Sequence, residues 1–307
     1  KHKKMKTIKG IIPPMITPLK GDDQIDCEGT VRLTEHILAG GVHALFLLGT
    51  TGEAQSLSYK CRYDFVELVC RQVAGRVPVL VGVTDTSLDE SVKLAVHAAA
   101  CGAVAVVAAA PYYFAPSQQE LIEYYTALAD ALPLPLFLYN MPSHVKVFLE
   151  PATVKTLAEH PNIVGLKDSS ANMTYFQTLL YHLGDREDFA LYVGPEELTG
   201  ESVVMGADGG VNGGANIFPE LYVQMYYAAC NRDVNTMRAL QRKIMQISTS
   251  LYTVGKYGSS YLKGVKCALS LLGICDDYLS YPYRKFRSEE RDKIRSALEK
   301  LGASCKI

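Results

Sequence analysis

Eight short, nearly continuous apolar runs recur at intervals of roughly 20–35 residues through the first two thirds of the chain: 11–17, 42–49, 77–84, 103–110, 135–139, 163–167, 189–194 and 209–212. A strand with one wet face alternates apolar and polar residues. These runs instead stay apolar at consecutive positions, as strands covered on both faces of a parallel sheet do. The segments between them carry helix punctuation. Ser87-Leu-Asp-Glu90 and Ser117-Gln-Gln-Glu120 fit the capping box, in which a hydroxyl and a carboxylate satisfy the orphan amides of a helix start. Pro151 suits a first helical turn. Gly40, Gly75, Gly102 and Gly184 close periodic segments, where a left-handed residue is tolerated best as glycine. Strand, helix, strand, eight times over, predicts an α/β fold of the closed (β/α)8 TIM-barrel type. The competing open, doubly wound sheet calls for a GxGxxG turn after the first strand, and 10–20 has none.

After Asn216 only helical patterns follow, over 219–232, 234–252, 259–273 and 287–302. No Pro/Gly/Ser-rich linker precedes them. The expectation is therefore a barrel over 1–216 and a helical extension over 217–307 packed on it as a single structural unit.

Composition limits the partners. Lysine and arginine number 31 against 32 aspartate and glutamate, a net charge of −1, and no basic stripe occurs beyond Lys1–Lys6, so nucleic acid is not expected as a partner. No apolar run approaches the ~20 residues of a membrane span. The basic opening lacks the apolar stretch and small-residue cleavage site of a secretory signal, and Met5 fits a natural start. Eight scattered cysteines, with no CxxC and no histidine at metal spacing, read as reduced thiols of a cytoplasmic protein.

In such a barrel the chemistry lies where strands end. Lys167 closes the run 163–167, and an amine walled in by apolar strands is suited to attack a ketone and form a Schiff base. Taken alone it reads equally as a lysine snorkelling out at a strand end. Tyr139 closes the neighbouring run, where a phenol can relay protons or simply lid the core with its hydroxyl in water. Gly49-Thr-Thr-Gly-Glu53 follows the second run; its amides and hydroxyls can cradle a carboxylate, though a lone GTTG is also an ordinary turn. It lacks the spacing and lysine of a P-loop.

Together with Pro111-Tyr-Tyr113, Tyr139-Asn-Met-Pro-Ser143, Gly165-Leu-Lys-Asp168 and Gly206-Ala-Asp-Gly-Gly210, these motifs resemble the pyruvate-dependent class I aldolases that include dihydrodipicolinate synthase and N-acetylneuraminate lyase. The resemblance covers most of the chain, tail included. It implies that Lys167 forms the Schiff base with pyruvate and that Tyr139 is the general acid/base. Thr50 and Thr51 would hold the carboxylate and join the proton relay, and Tyr113 would reach into a neighbouring subunit's site, so a homo-oligomer, dimer or tetramer, is implied. The protonated imine is itself the electron sink, so neither metal nor organic cofactor is needed.

The aldehyde partner is less determined. An arginine of the synthases is replaced here by His144, which lacks a bidentate fork. Ser169, and Glu196-Glu197 after Gly194-Pro195, resemble the sialic-acid lyases and suit hydroxyl-rich substrates, with Glu196-Glu197 otherwise charging a helix start. Gly194 and Val211 are expected to line the same pocket. Gly213, however, stands where those lyases carry serine. Tyr59 and Thr84 take the places of a histidine and an asparagine of lysine-regulated relatives, so lysine feedback is not expected. The readings are thus a synthase-like aldolase, a sialic-acid or 2-keto-3-deoxy sugar-acid aldolase or dehydratase, and, more remotely, a barrel that only binds ligand.

Overall fold

The computed structural model describes residues 8–303 and Cys305; the basic opening Lys1–Lys6 and Met5 lie outside them. Eight strands form one parallel sheet: β1 (Gly10–Ile11), β2 (Leu45–Leu47), β3 (Val79–Gly82), β4 (Ala105–Ala109), β5 (Leu136–Asn140), β6 (Ile163–Asp168), β7 (Ala190–Val193) and β8 (Gly209–Gly210). Neighbours in sequence are neighbours in the sheet, and β8 pairs with β1. The remaining seam, β1 to β2, is closed by a bridge between Pro14 and Phe46, with the Met15 amide donating to the Phe46 carbonyl at 2.8 Å and the Phe46 amide to the Pro13 carbonyl at 3.0 Å. The first strand is much shorter than the apolar run 11–17. Pro13 and Pro14 have no amide to give a ladder, so regular pairing stops at Ile11.

One residue from each strand position points to the barrel axis: Ile12, Phe46, Leu80, Val107, Phe137, Lys167, Tyr192 and Val211 surround a void of about 10 Å³. The interior is thus packed side chain, and the one amine among these eight is Lys167.

The helices largely follow their punctuation. Ser117 and Glu120 form the full capping box, and Pro151 starts helix Pro151–Leu157. At Ser87 the box is only half made. Its hydroxyl accepts from the Glu90 amide, but its own amide is already taken by Asp85 at 2.9 Å, and the Glu90 carboxylate turns to Lys93. Gly75 and Gly102 are left-handed as expected, whereas Gly40 and Gly184 are right-handed; after Gly40 it is Gly41 that makes the left-handed step. A hairpin of Leu19–Gly21 with Gln24–Ile25 has no counterpart among the expected elements.

Four longer helices follow the barrel, Pro219–Cys230, Val234–Leu251, Ser260–Leu271 and Ser288–Lys300. Ile247, Leu251, Val265, Leu269 and Leu298 join the same buried cluster as the barrel strands and their helices. Among the described residues no helix is long and apolar enough to cross a membrane, and all eight cysteines are free thiols.

Candidate active site

Strand pairing alone brings Tyr139 and Lys167 together, because the β5–β6 register sets them side by side, followed by Asn140 beside Asp168. A side-chain tie locks that register: Asn140 Nδ2 donates to Asp168 Oδ1 at 2.8 Å, while Ser170 supplies its amide and hydroxyl to the same carboxylate. The Lys167 amine lies 4.1 Å from the centre of the Tyr139 ring and 5.1 Å from that of Phe46, and the side chain is 6% exposed. The lysine is therefore directed inward. It does not snorkel.

Burial pushes the Tyr139 phenol up, but the adjacent Lys167 ammonium and hydrogen bonds with Thr50 and Ser169 outweigh it, so the phenol sits below its ordinary value. Thr50 Oγ1 lies 3.3 Å from the Tyr139 hydroxyl. Both threonines ride on the turn after β2, where the Gly52 amide donates to the Gly49 carbonyl at 3.0 Å and Leu48 and Glu53 take left-handed backbone. Gly49 is required there, since a Cβ would stand 2.7 Å from the Phe46 ring. Gly194 is crowded in the same way: a Cβ on it would lie 2.1 Å from the Ser169 hydroxyl and 3.1 Å from the Asp168 carbonyl oxygen.

These groups open onto a cavity of about 550 Å³, also lined by His144, Ser169, Gly194, Glu196, Glu197 and Val211. His144 sits on the short helix Pro142–Val145 with Nδ1 3.0 Å from the Ser143 hydroxyl, and burial pushes its imidazole below the ordinary value, favouring the neutral ring at pH 7. Glu196 lines the cavity but is committed elsewhere. Its oxygens accept from the Tyr222 hydroxyl at 2.5 Å, the Tyr252 hydroxyl at 2.8 Å and the Gly214 amide at 2.7 Å, and burial raises its carboxyl to about 7. Three of the roughly four acceptor positions of the Glu196 carboxyl are thus taken by groups of this chain, and Glu197 lines the same cavity beside it. Tyr113 is 75% exposed, stacked edge-on against Phe114, and it is Tyr112 that borders this cavity.

Besides Tyr222 and Tyr252, two further contributions come from the tail. Tyr261 brings its hydroxyl 3.1 Å from Thr51 Oγ1. Lys266, fully buried in the same helix, forms an ion pair with Glu53 of the threonine turn. The signal for Lys266 was present, a lysine between Val265 and Cys267-Ala268-Leu269; nothing local marked Tyr261. Among the described residues no three of histidine, cysteine, aspartate and glutamate are grouped to hold a metal ion.

The sequence matches the dihydrodipicolinate synthetase family over residues 7–301. The chain belongs to that family. Its barrel is similar to the solved dihydrodipicolinate synthase of Bacteroides thetaiotaomicron, at 60% identity and a TM-score of 0.93, covering 95% of this chain and 98% of the other. It is also similar to a prophage protein of the dihydrodipicolinic acid synthase family from Escherichia coli K12, solved in complex with pyruvate, at 29% identity and a TM-score of 0.91, covering 96% and 99%. A probable 2-dehydro-3-deoxy-D-pentonate aldolase of Escherichia coli is 33% identical over 301 residues, 97% of this chain and 99% of its own. Four of the five motifs contribute residues to one cavity, Gly49, Thr50, Thr51 and Glu53, Tyr112, Tyr139 and Met141, and Lys167, whereas Tyr113 and the motif 206–210 do not border it. Family membership makes the protein a lyase of this type.

Proposed function

We propose that this protein is a pyruvate-dependent class I aldolase of the dihydrodipicolinate synthase type that joins pyruvate to an aldehyde. The observation that carries it is the inward-facing Lys167 amine over the Tyr139 ring, with that phenol hydrogen-bonded to Thr50. The Lys167 nitrogen attacks the ketone carbon, and Tyr139 delivers the proton with which the carbinolamine oxygen leaves as water. The imine then holds the pyruvyl unit while Thr50 and Thr51 bind its carboxylate. The Tyr139 phenolate left by that proton transfer takes a methyl proton to give the enamine; the enamine carbon bonds to the aldehyde carbon as the aldehyde oxygen takes the proton back from Tyr139, and water adds to the resulting imine to release the product and return the lysine amine.

Trapping tests this directly. Borohydride added with pyruvate should reduce the imine to a stable amine on the Lys167 peptide, readable by mass spectrometry. No adduct there, or an adduct elsewhere, would sink the reading, and pyruvate binding without any trapped imine would favour a barrel that only binds ligand.

A second reading, cleavage of a 2-keto-3-deoxy sugar acid, is favoured by Ser169 and Glu197 on the cavity wall and by the aldolase relative in Escherichia coli. The commitment of Glu196 to three internal donors weighs against it. A panel of aldehydes with pyruvate, and of sugar acids for cleavage, decides between them. The exposed Tyr113-Phe114 loop suits pairing with a second copy, as a dimer or tetramer, and free thiols suit the cytoplasm.

A further inference from the structure

Tyr261 reaches the cavity from outside the barrel, at the start of helix Ser260–Leu271. Its hydroxyl fills the space that a side chain at position 213 would need: a Cβ on Gly213 would stand 1.6 Å from the phenol oxygen. The ring packs edge-on against Tyr252, centroids 4.9 Å apart, and Tyr252 is itself anchored by its hydrogen bond to Glu196. Burial, then the nearby Glu196 carboxylate, holds the Tyr261 phenol above its ordinary value, so the proton stays on the oxygen.

The Tyr261 and Thr51 hydroxyls share one hydrogen bond of 3.1 Å in which either can donate. Two hydroxyls have two protons, and one such bond uses one of them. Whichever group donates, a single O–H is left over, beside the turn whose other threonine is already engaged with Tyr139.

We propose that Tyr261 is a substrate-binding residue: with Thr51 it forms a hydroxyl pair whose free O–H donates to the carboxylate of the keto acid and sets the affinity for it. The inference rests on the Lys167 chemistry proposed above. Gly213 is then a specificity position as well, because any side chain there displaces the phenol.

Borohydride trapping titrated with pyruvate measures the half-saturating concentration independently of aldehyde chemistry. In Tyr261→Phe it should rise about fivefold, because the Thr51 hydroxyl loses the neutral hydrogen bond that orients the pair toward the carboxylate, while the adduct at saturation stays at the wild-type level. Gly213→Ala should shift it in the same direction, and the double variant by less than the product of the two. Trapping with hydroxyacetone, a ketone without the carboxylate, should be unmoved by Tyr261→Phe. A shift below twofold for pyruvate with normal labelling, or an equal shift for both ketones, overturns the role of Tyr261 and leaves the aldolase reading standing. No wild-type adduct on Lys167 overturns both.

Discussion

Lys266 and Glu53 form an ion pair with side chains 0% and 1% exposed, joining the helical tail to the turn that carries Thr50 and Thr51. Each charged group has further partners. Lys266 also donates to the Tyr278 carbonyl at 2.7 Å, and Glu53 Oε1 accepts the amide and hydroxyl of Ser280, each at 2.9 Å. Removing one partner of such a pair strands the other charge away from water. Lys266→Met should therefore cost about 3–5 kcal/mol, and adding Glu53→Gln should recover part of it, since a neutral amide can still accept from Ser280. Denaturant unfolding of the wild type and the two variants is the check. A loss below about 1 kcal/mol in Lys266→Met would mean that the pair contributes little.

Tyr139→Phe isolates the proton relay. The ring under the Lys167 amine is kept, and only the hydroxyl near Thr50 is lost. Turnover should fall by roughly 10²–10⁴, with a thermal midpoint near wild type and slower borohydride trapping at saturating pyruvate. Near-normal turnover would remove Tyr139 from the acid/base role.

The barrel and its central pair were legible in the sequence for a simple reason. Buried parallel strands impose continuous apolar runs, and a polar residue closing such a run, as Tyr139 and Lys167 do, is visible against that background. What stayed hidden depends on contacts distant in the chain. Tyr261 meets Thr51 across 210 positions and Lys266 meets Glu53 across more than 200; no periodicity encodes such pairs. The partners of Glu196 were hidden for a related reason. Its motif places it correctly on the cavity wall, but the donors that consume its oxygens, Tyr222 and Tyr252, belong to the tail. The glycines divide along the same line: Gly75 and Gly102 answer to local backbone, whereas Gly213 and Gly194 are small because hydroxyls from elsewhere occupy the space.

His144 tests which aldehyde is read. A neutral imidazole on an exposed helical turn at the cavity rim offers no fork for a second carboxylate. If the natural aldehyde carries one, as aspartate semialdehyde does, His144→Arg should raise kcat/KM for it, on the order of tenfold, as a charge-assisted bidentate pair allows. An unchanged value together with efficient cleavage of a sugar acid would reject the synthase reading.

Glu196 should make stability depend on pH near neutrality. Its carboxyl is raised to about 7 in the fold, against 4.5 for the free group, chiefly by burial. A raised acid favours folding in its protonated form: the contribution is fully present below about 4.5 and is lost as pH climbs through about 7, roughly 3 kcal/mol in all. In Glu196→Gln the amide oxygen can still accept from Tyr222 and Tyr252, but its NH₂ faces the Gly214 amide, so the variant should be less stable in absolute value. Its pH dependence is the cleaner readout. His43 and His144, both lowered by burial, contribute with the opposite sign, and they are common to both proteins. Subtracting the unfolding free energies of Glu196→Gln from those of the wild type at each pH therefore isolates the carboxyl. That difference should fall between pH 5 and pH 8; a flat difference would place the Glu196 charge in the folded state throughout, held by its three donors against the cost of burial.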